Sequence, residues 1–159
     1  MRLRIIKLSL AQHQKKYCWS KKGPDEFDCS GLSWYIYNEL LNINIDQGGY
    51  GKSETTKQMT SNIGQLTLYD EGDIRKYSYL RSIQPGDILF FHRQSLASNS
   101  PQDSNCYPGH CGLYLTNNEF IHASKPKGKV VISSFDRNNY WLDVLVGSKD
   151  IVSERILKR

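Results

Sequence analysis

The sequence predicts an α+β fold in which N-terminal helices pack on an antiparallel β-sheet of about five to six strands. Helical apolar spacing is confined to the first half of the chain, whereas short apolar runs separated by turn residues fill the second half. Helices followed by strands in hairpin order are typical of α+β proteins. The 159 residues, 38% hydrophobic and 23% charged, fit one globular domain over 1–159. We expect its core at about 3–147 and a basic tail after it.

Three helices are predicted first, at 3–16, from Cys29 to about Ile43, and at 54–64. In the second of these, apolar residues recur at spacings of four, four and three, which is one stripe of an α-helix. The stripe consists of Leu32, Ile36, Leu40 and Ile43. Asp28 is well suited to cap this helix at its N-terminus.

Five apolar runs in the second half predict strands. They occupy 87–91, 110–115, 119–124, 129–135 and 141–147. A polar segment at 92–109 separates the first two, and loops of this length are often functional.

The net charge of +5 comes from dispersed lysines and arginines. No nucleic-acid motif accompanies the charge, so we expect no nucleic-acid partner, although a basic surface suits any polyanion. No apolar run approaches the ~20 residues of a membrane span. The N-terminal "MRLRIIKLSL" does not read as an intact signal peptide, although a leader that has been removed stays an open alternative.

Four cysteines are present: Cys18, Cys29, Cys106 and Cys111. Their spacing matches no zinc site, so no metal is expected, and a domain of this size does not need disulfides. The strand pattern predicts that Cys111 is buried, whereas Cys106 lies in the polar segment without an assigned role. Cys29, in "DCSG" at a helix start, has two interpretations: a small core residue, or a nucleophile whose thiolate is favoured by the helix N-terminus.

A thiolate nucleophile needs a base, for which the chain offers four histidines. His13 is interpreted as a surface residue and His92 as part of a loop or rim. His110 and His122 begin and nearly end a predicted hairpin, and they share a face of it when the loop has an odd number of residues.

A three-residue loop at 116–118 satisfies this condition, because it pairs His110 with Ser124 and places His122 on the same face. It suits a type I turn with Asn118 in the left-handed region. The opposite face is then apolar: Cys111, Leu113, Leu115, Ile121 and Ala123. A two-residue Asn-Asn loop is the alternative, and it would separate the histidines.

In the favoured register Cys29 attacks a carbonyl, His110 accepts the thiol proton and later protonates the leaving amine, and His122 orients His110. The backbone N–H of Cys29 supplies one oxyanion donor. Spacing alone does not distinguish this arrangement from a purely structural role for the same residues.

Further motifs bear on that choice. They are Tyr17 and Trp19 in "YCWS", "FDCSGL" at 27–32, "SETTKQM" at 53–59, "IQPGDILFF" at 83–91, "GHCGLYL" at 109–115 and "FIHAS" at 120–124. In this order they resemble the NlpC/p60 family of cell-wall cysteine peptidases, which implies a papain-like fold in circularly rearranged form. The resemblance departs at "WSKKG", where the family has Trp-Gly-Gly, and at 92–109, which is longer than usual.

The resemblance implies Cys29 as nucleophile, His110 as base and His122 as the third polar residue, with no metal or organic cofactor. It also implies substrate-binding residues: Tyr17, Asp28, Ser30, Gly109 and Ser124. Members of the family cleave peptidoglycan stem peptides, often between D-glutamate and the following diamino acid. We therefore expect a monomer with a peptidoglycan peptide substrate, with an immunity or inhibitor protein as an optional partner.

Action at the bacterial wall or periplasm follows from the resemblance, by phage or secretion-system delivery or after removal of a leader. Two alternatives use the same scaffold: a thiol acyltransferase or deamidase acting on protein or lipid, and a non-enzymatic binding module. The lecithin:retinol acyltransferase group has its histidine before its cysteine, whereas Cys29 precedes His110 here. The presence of all three candidate catalytic residues argues against a binding module.

Overall fold

The computed structural model describes residues 1–69, 76–92, 108–137 and 139–153. Its helices are α1 (Arg2–Leu10), α2 (Cys29–Trp34), α3 (Glu54–Thr60), α4 (Lys76–Ser82) and α5 (Tyr140–Val144), and a π-helical turn, Tyr35–Leu40, continues α2. Its strands are β1 (Lys16–Tyr17), β2 (Glu26–Phe27), β3 (Gln65–Leu68), β4 (Ile88–Phe91), β5 (His110–Tyr114), β6 (Glu119–Ser124), β7 (Lys129–Ser134) and β8 (Leu145–Asp150).

The strands form one sheet of mixed direction in the order β2-β1-β7-β6-β5-β4-β8-β3. All neighbours are antiparallel except β1 and β2, which run parallel at one edge. The α+β class is confirmed, but the described residues contain eight strands rather than five to six. The additional ones are β1 and β2, of two residues each, and the exposed edge strand β3, which are too short or too polar to show a strand pattern.

Four predicted elements had wrong bounds, among them the third helix, which ends at Thr60 rather than at residue 64. The first helix ends at Leu10, because Gln14 has a left-handed φ of 74° and its N–H donates to Val130 of β7, which turns the chain into the sheet. The second is α-helical only to Trp34 and continues as the π-helical turn. The run at 141–147 begins as a helix, α5, and enters β8 only at Leu145.

The hairpin of β5 and β6 has the predicted register, with Leu113 opposite Ile121 and Tyr114 opposite Phe120. The three-residue loop is therefore confirmed, but the turn type was wrong. Asn117 (φ 53°) and Asn118 (φ 60°) are both left-handed, whereas a type I turn needs only right-handed central residues. Asparagine tolerates this conformation better than other non-glycine residues.

Each face of the sheet packs against helices. On one face, α1, α2 and the π-helical turn cover the predicted core residues of the hairpin, Cys111 among them. On the other face, α4 and α5 cover aromatic side chains. The aromatic layer consists of Phe91, Tyr114, Phe120 and Phe135, with Trp141 packed against it.

Among the described residues, none of the helices has both the length and the apolar character that crossing a bilayer requires. The predicted segment at 92–109 is described only at His92 and from Pro108 onward, so Cys106 lies outside the described residues. The basic tail at 154–159 lies outside them as well.

Candidate active site

Cys29 is the first residue of α2, and its position is set by the N-cap Asp28. The carboxylate of Asp28 accepts the N–H of Gly31 at 2.7 Å and the N–H of Ser20 at 2.9 Å. One side chain therefore caps the helix and ties down the preceding loop. The backbone N–H of a first-turn residue has no partner within its own helix, so that of Cys29 is available to a ligand.

His110 and His122 lie on one face of the hairpin and are in direct contact. Nε2 of His110 is 2.8 Å from Nδ1 of His122, and the two rings meet edge to face at 80°. Nδ1 of His110 is consequently the nitrogen left for Cys29. On its far side, Nε2 of His122 lies 2.8 Å from Oγ of Ser133 on β7.

The ring of His122 is almost completely enclosed, with 2% of its surface exposed. Burial, followed by the charge of the neighbouring His110, lowers the pKa of His122 well below its usual range. His122 is therefore neutral near pH 7 and acts as a hydrogen-bonding partner of His110. Trp141 closes the site by packing edge-on against His122 at a centroid distance of 5.0 Å.

The thiol of Cys29 lies in an environment that favours its anion. A hydrogen bond from Cys111 and a hydrogen bond and positive charge from His110 lower the pKa of Cys29 well below that of a free cysteine, although burial opposes them. Oγ1 of Thr55 lies 3.8 Å from Sγ. Cys111 has the opposite shift, because its hydrogen bond to the Cys29 anion and its burial raise its pKa. Cys29 is therefore the thiolate of the pair, and Cys111 is a neutral donor behind it.

Helix α3 holds the start of α2 in place through a buried amide. Gln58 donates from Nε2 to the carbonyl of Ser30 at 2.9 Å and accepts at Oε1 from the hydroxyl of Ser33 at 2.6 Å. Because Thr55 and Gln58 lie one turn apart on α3, the helix that anchors α2 also brings a hydroxyl to the thiol.

Helix α3 is itself anchored by a buried lysine on β8. Nζ of Lys149 donates to the carbonyls of Gln58 (2.9 Å), Met59 (3.1 Å) and Ser61 (2.8 Å) and to the hydroxyl of Ser61 (2.8 Å). A helix cannot satisfy its last carbonyls internally, and a cation there also complements the helix dipole. The ammonium group thus forms the C-terminal cap of α3.

Lys149→Met is expected to lower the free energy of unfolding by about 3 kcal/mol, because it leaves several buried acceptors without a donor. Urea unfolding monitored by circular dichroism measures this loss. Lys57→Met is the matched control, since Lys57 lies on α3 with a half-exposed side chain paired to Glu54. That change is expected to cost no more than about 0.5 kcal/mol. Equal stabilities of the two variants would contradict the capping role.

Cys29 and the two histidines open into a cleft of about 510 Å³. Six of the predicted site residues line it: Tyr17, Cys29, Gly109, His110, His122 and Ser124. Asp28 and Ser30 are not among the lining residues, and their polar groups serve the helix contacts above. A substrate-binding role for these two stays a prediction. His92, interpreted from the sequence as loop or rim, lines the cleft as well.

The sequence did not single out four residues that contact the site: Thr55, Gln58, Ser133 and Trp141. Thr55 and Gln58 had a signal in "SETTKQM", whereas Ser133 and Trp141 had none, because each lies in an ordinary apolar run. Among the residues that the structure describes, no group of three or more His, Cys, Asp or Glu side chains could hold a metal ion.

Comparison with known proteins places these features in a family. The chain is 29% identical over 133 residues to the probable peptidoglycan endopeptidase LytE of Bacillus subtilis (strain 168), covering 84% of this chain and 29% of LytE. It is 27% identical over 140 residues to the gamma-DL-glutamyl hydrolase of the same strain, covering 87% of this chain and 27% of the hydrolase. The solved structure of NlpC2 from Trichomonas vaginalis superposes with a TM-score of 0.62 at 29% identity, covering 94% of this chain and 46% of NlpC2.

The chain spans about half the length, or less, of the curated relatives that it matches. The profile of the NlpC/P60 family matches residues 14–150, which is most of the chain and includes every candidate catalytic residue. The chain therefore belongs to the NlpC/P60 family.

Proposed function

We propose that this protein is a cysteine peptidase that hydrolyses amide bonds in peptidoglycan stem peptides. The observation that carries the proposal is that Cys29, a thiol whose pKa is lowered, lines one open cleft together with His110 and His122. A relative named as a peptidoglycan endopeptidase supports the substrate class.

In the proposed reaction the Cys29 thiolate attacks the carbonyl carbon of the scissile amide. The negative charge that develops on the carbonyl oxygen is stabilised by the free N–H of Cys29. His110, which became an imidazolium when it took the thiol proton, then gives that proton to the departing nitrogen. The C–N bond breaks and an acyl group remains on Sγ.

A water molecule completes the cycle. His110, now neutral, accepts a proton from the water as it attacks the thioester, and the carboxylic acid product leaves as the thiolate is restored. His122 stays neutral throughout, because burial holds its pKa low. Its task is to keep the ring of His110 directed at Sγ.

The proposed bond lies between D-glutamate, linked through its γ-carboxyl, and the following diamino acid. Such a substrate carries a free α-carboxylate next to the scissile bond. No Asp or Glu is among the described residues that line the cleft, whereas Lys125 and Lys127, on the turn between β6 and β7, do line it. A cleft with this charge favours an anionic peptide. The relative named as a gamma-DL-glutamyl hydrolase agrees with this bond type.

Purified stem peptides test both the activity and the bond. We expect cleavage products that end in γ-D-glutamate when they are analysed by mass spectrometry. In the variant carrying Lys125→Met and Lys127→Met, KM is expected to rise about three- to tenfold for the free α-carboxylate, with kcat little changed, because each exposed ion pair contributes only ~0.2–1 kcal/mol. The same substrate with an amidated α-carboxyl is expected to show no such rise.

Lys7→Met is the matched control, because Lys7 is an exposed lysine on α1 that does not line the cleft. High salt is expected to weaken the preference for the carboxylate, since it screens exposed charges. Products cut at another bond would contradict the proposed specificity. Failure to cleave any stem peptide or intact peptidoglycan would contradict the peptidase proposal.

A further inference from the structure

We infer that Ser133 is a positioning residue for the reaction. Its hydroxyl selects the tautomer of neutral His122 that carries hydrogen on Nε2, and His122 in this form orients His110. The role of Ser133 in catalysis rests on the proposed function, whereas the hydrogen bonds from which it is inferred do not. Oγ of Ser133 lies 2.8 Å from Nε2 of His122, and Nδ1 of the same ring lies 2.8 Å from Nε2 of His110. The side chains of His110, His122 and Ser133 thus form a continuous hydrogen-bonded series beside Cys29.

The strand register brings Ser133 to this place. On β7 it stands opposite Phe120 of β6, whereas His122 stands opposite Val131. Ser133 and His122 are consequently diagonal neighbours, two residues apart in register on one face of the sheet, where side chains are within reach of each other. The contact joins two central strands of the sheet, so it is held by both backbones.

The direction of each hydrogen bond follows from the charge states. When Cys29 is a thiolate and His110 an imidazolium, both ring nitrogens of His110 carry hydrogen, so its Nε2 must donate. Nδ1 of His122 must therefore accept. A neutral imidazole has one acceptor and one donor nitrogen, so the proton of His122 resides on Nε2. Ser133 is the acceptor for that proton.

Removal of the Ser133 hydroxyl would destabilise the Nε2–H tautomer of His122. His122 is only 2% exposed, so an Nε2–H group without an acceptor is costly, and the tautomer with hydrogen on Nδ1 is then no longer the less stable one. That tautomer would face the N–H of His110 with a second N–H, and the imidazolium would lose its partner. The ion pair between His110 and Cys29 would then be less stable, and the thiolate would form only at higher pH.

The test compares Ser133→Ala, which removes the hydroxyl, with Ser133→Thr, which retains an acceptor. Ser134→Ala is the control, because Ser134 is adjacent on β7 but its hydroxyl accepts the N–H of Asp136. The alkylation rate of Cys29 by iodoacetamide across pH, with the site confirmed by mass spectrometry, needs no substrate. The alkylation rate therefore reports on the effect of Ser133 on His122 and His110 even if the proposed peptidase function is wrong.

In Ser133→Ala the alkylation profile is expected to move to higher pH, and kcat is expected to fall about tenfold with little change in KM. Ser133→Thr is expected to restore both, and Ser134→Ala to leave the profile in place. Nitrogen-15 NMR of the imidazoles is expected to show the Nε2–H tautomer of His122 in the wild type. An Nδ1–H tautomer in the wild type, or an unshifted profile in Ser133→Ala, would overturn the inference.

Discussion

Cys29→Ala is expected to abolish the release of peptide fragments from purified peptidoglycan, with kcat/KM reduced by at least about 10⁴-fold. The proposed chemistry forms its covalent intermediate on Sγ, and Cys29 carries the only thiol among the described residues that line the cleft. Because the residual cleft can still bind peptide, the loss is expected in kcat rather than in KM. Mass analysis of the soluble fragments measures it.

Cys18→Ala is the matched control for that experiment. Cys18 is a second partly buried free cysteine in the same half of the chain, and it does not line the cleft. We expect this variant to retain activity within about twofold, as surface changes away from a site usually do. Unchanged fragment release by Cys29→Ala would remove the basis of the proposed mechanism.

His110→Gln is expected to lower kcat by roughly 10³-fold and to shift alkylation of Cys29 toward higher pH. Two effects combine, because the change removes both the proton donor for the leaving group and one source of the lowered Cys29 pKa. In the wild type the thiolate is present well below the usual cysteine pKa of ~8.5, so alkylation is fast near neutral pH. In the variant that reactivity appears only as pH rises.

Cys111→Ala separates these two effects. It removes the hydrogen bond that contributes most to lowering the pKa of Cys29, but it leaves His110 in place. Its alkylation profile is expected to shift to higher pH as well, whereas its kcat is expected to recover in alkaline buffer. His110→Gln is expected to stay inactive there. Recovery of His110→Gln at alkaline pH would show that His110 only tunes the thiol and does not transfer the proton.

Much of the hairpin could be predicted from the sequence, because side chains alternate along a strand by geometry alone. The apolar set around Cys111 and the polar set around His110 favoured an odd loop over the two-residue alternative, and the structure has that register. The stripe of Leu32, Ile36 and Leu40 indicated for the same reason which side of α2 and of the π-helical turn is buried, whereas Ile43 is buried beyond the end of that turn. The dihedral angles of Asn117 were beyond this reasoning, since either turn type gives the same parity.

The contacts that surround the thiol were not predictable in this way. Thr55, Cys111 and Ser133 come from three separate elements, and each reaches the catalytic residues only after the sheet and α3 have packed. The short strands and the π-helical turn were not predicted for a related reason. Elements of two to six residues are too short to show a periodic apolar pattern. Lys149 lies beyond the last run that predicted a strand, so its buried position was not predicted.

Local patterns in the chain placed Cys29 at the start of a helix and favoured a register in which His110 and His122 share one face of a hairpin. Both follow from local geometry, which repeats every few residues and leaves a pattern in the chain. The groups that shift the pKa of Cys29, the hydroxyl that contacts His122 and the cation that caps α3 became apparent only in the folded protein. These depend on side chains distant in sequence meeting at hydrogen-bond distance, a condition that packing of the whole domain imposes.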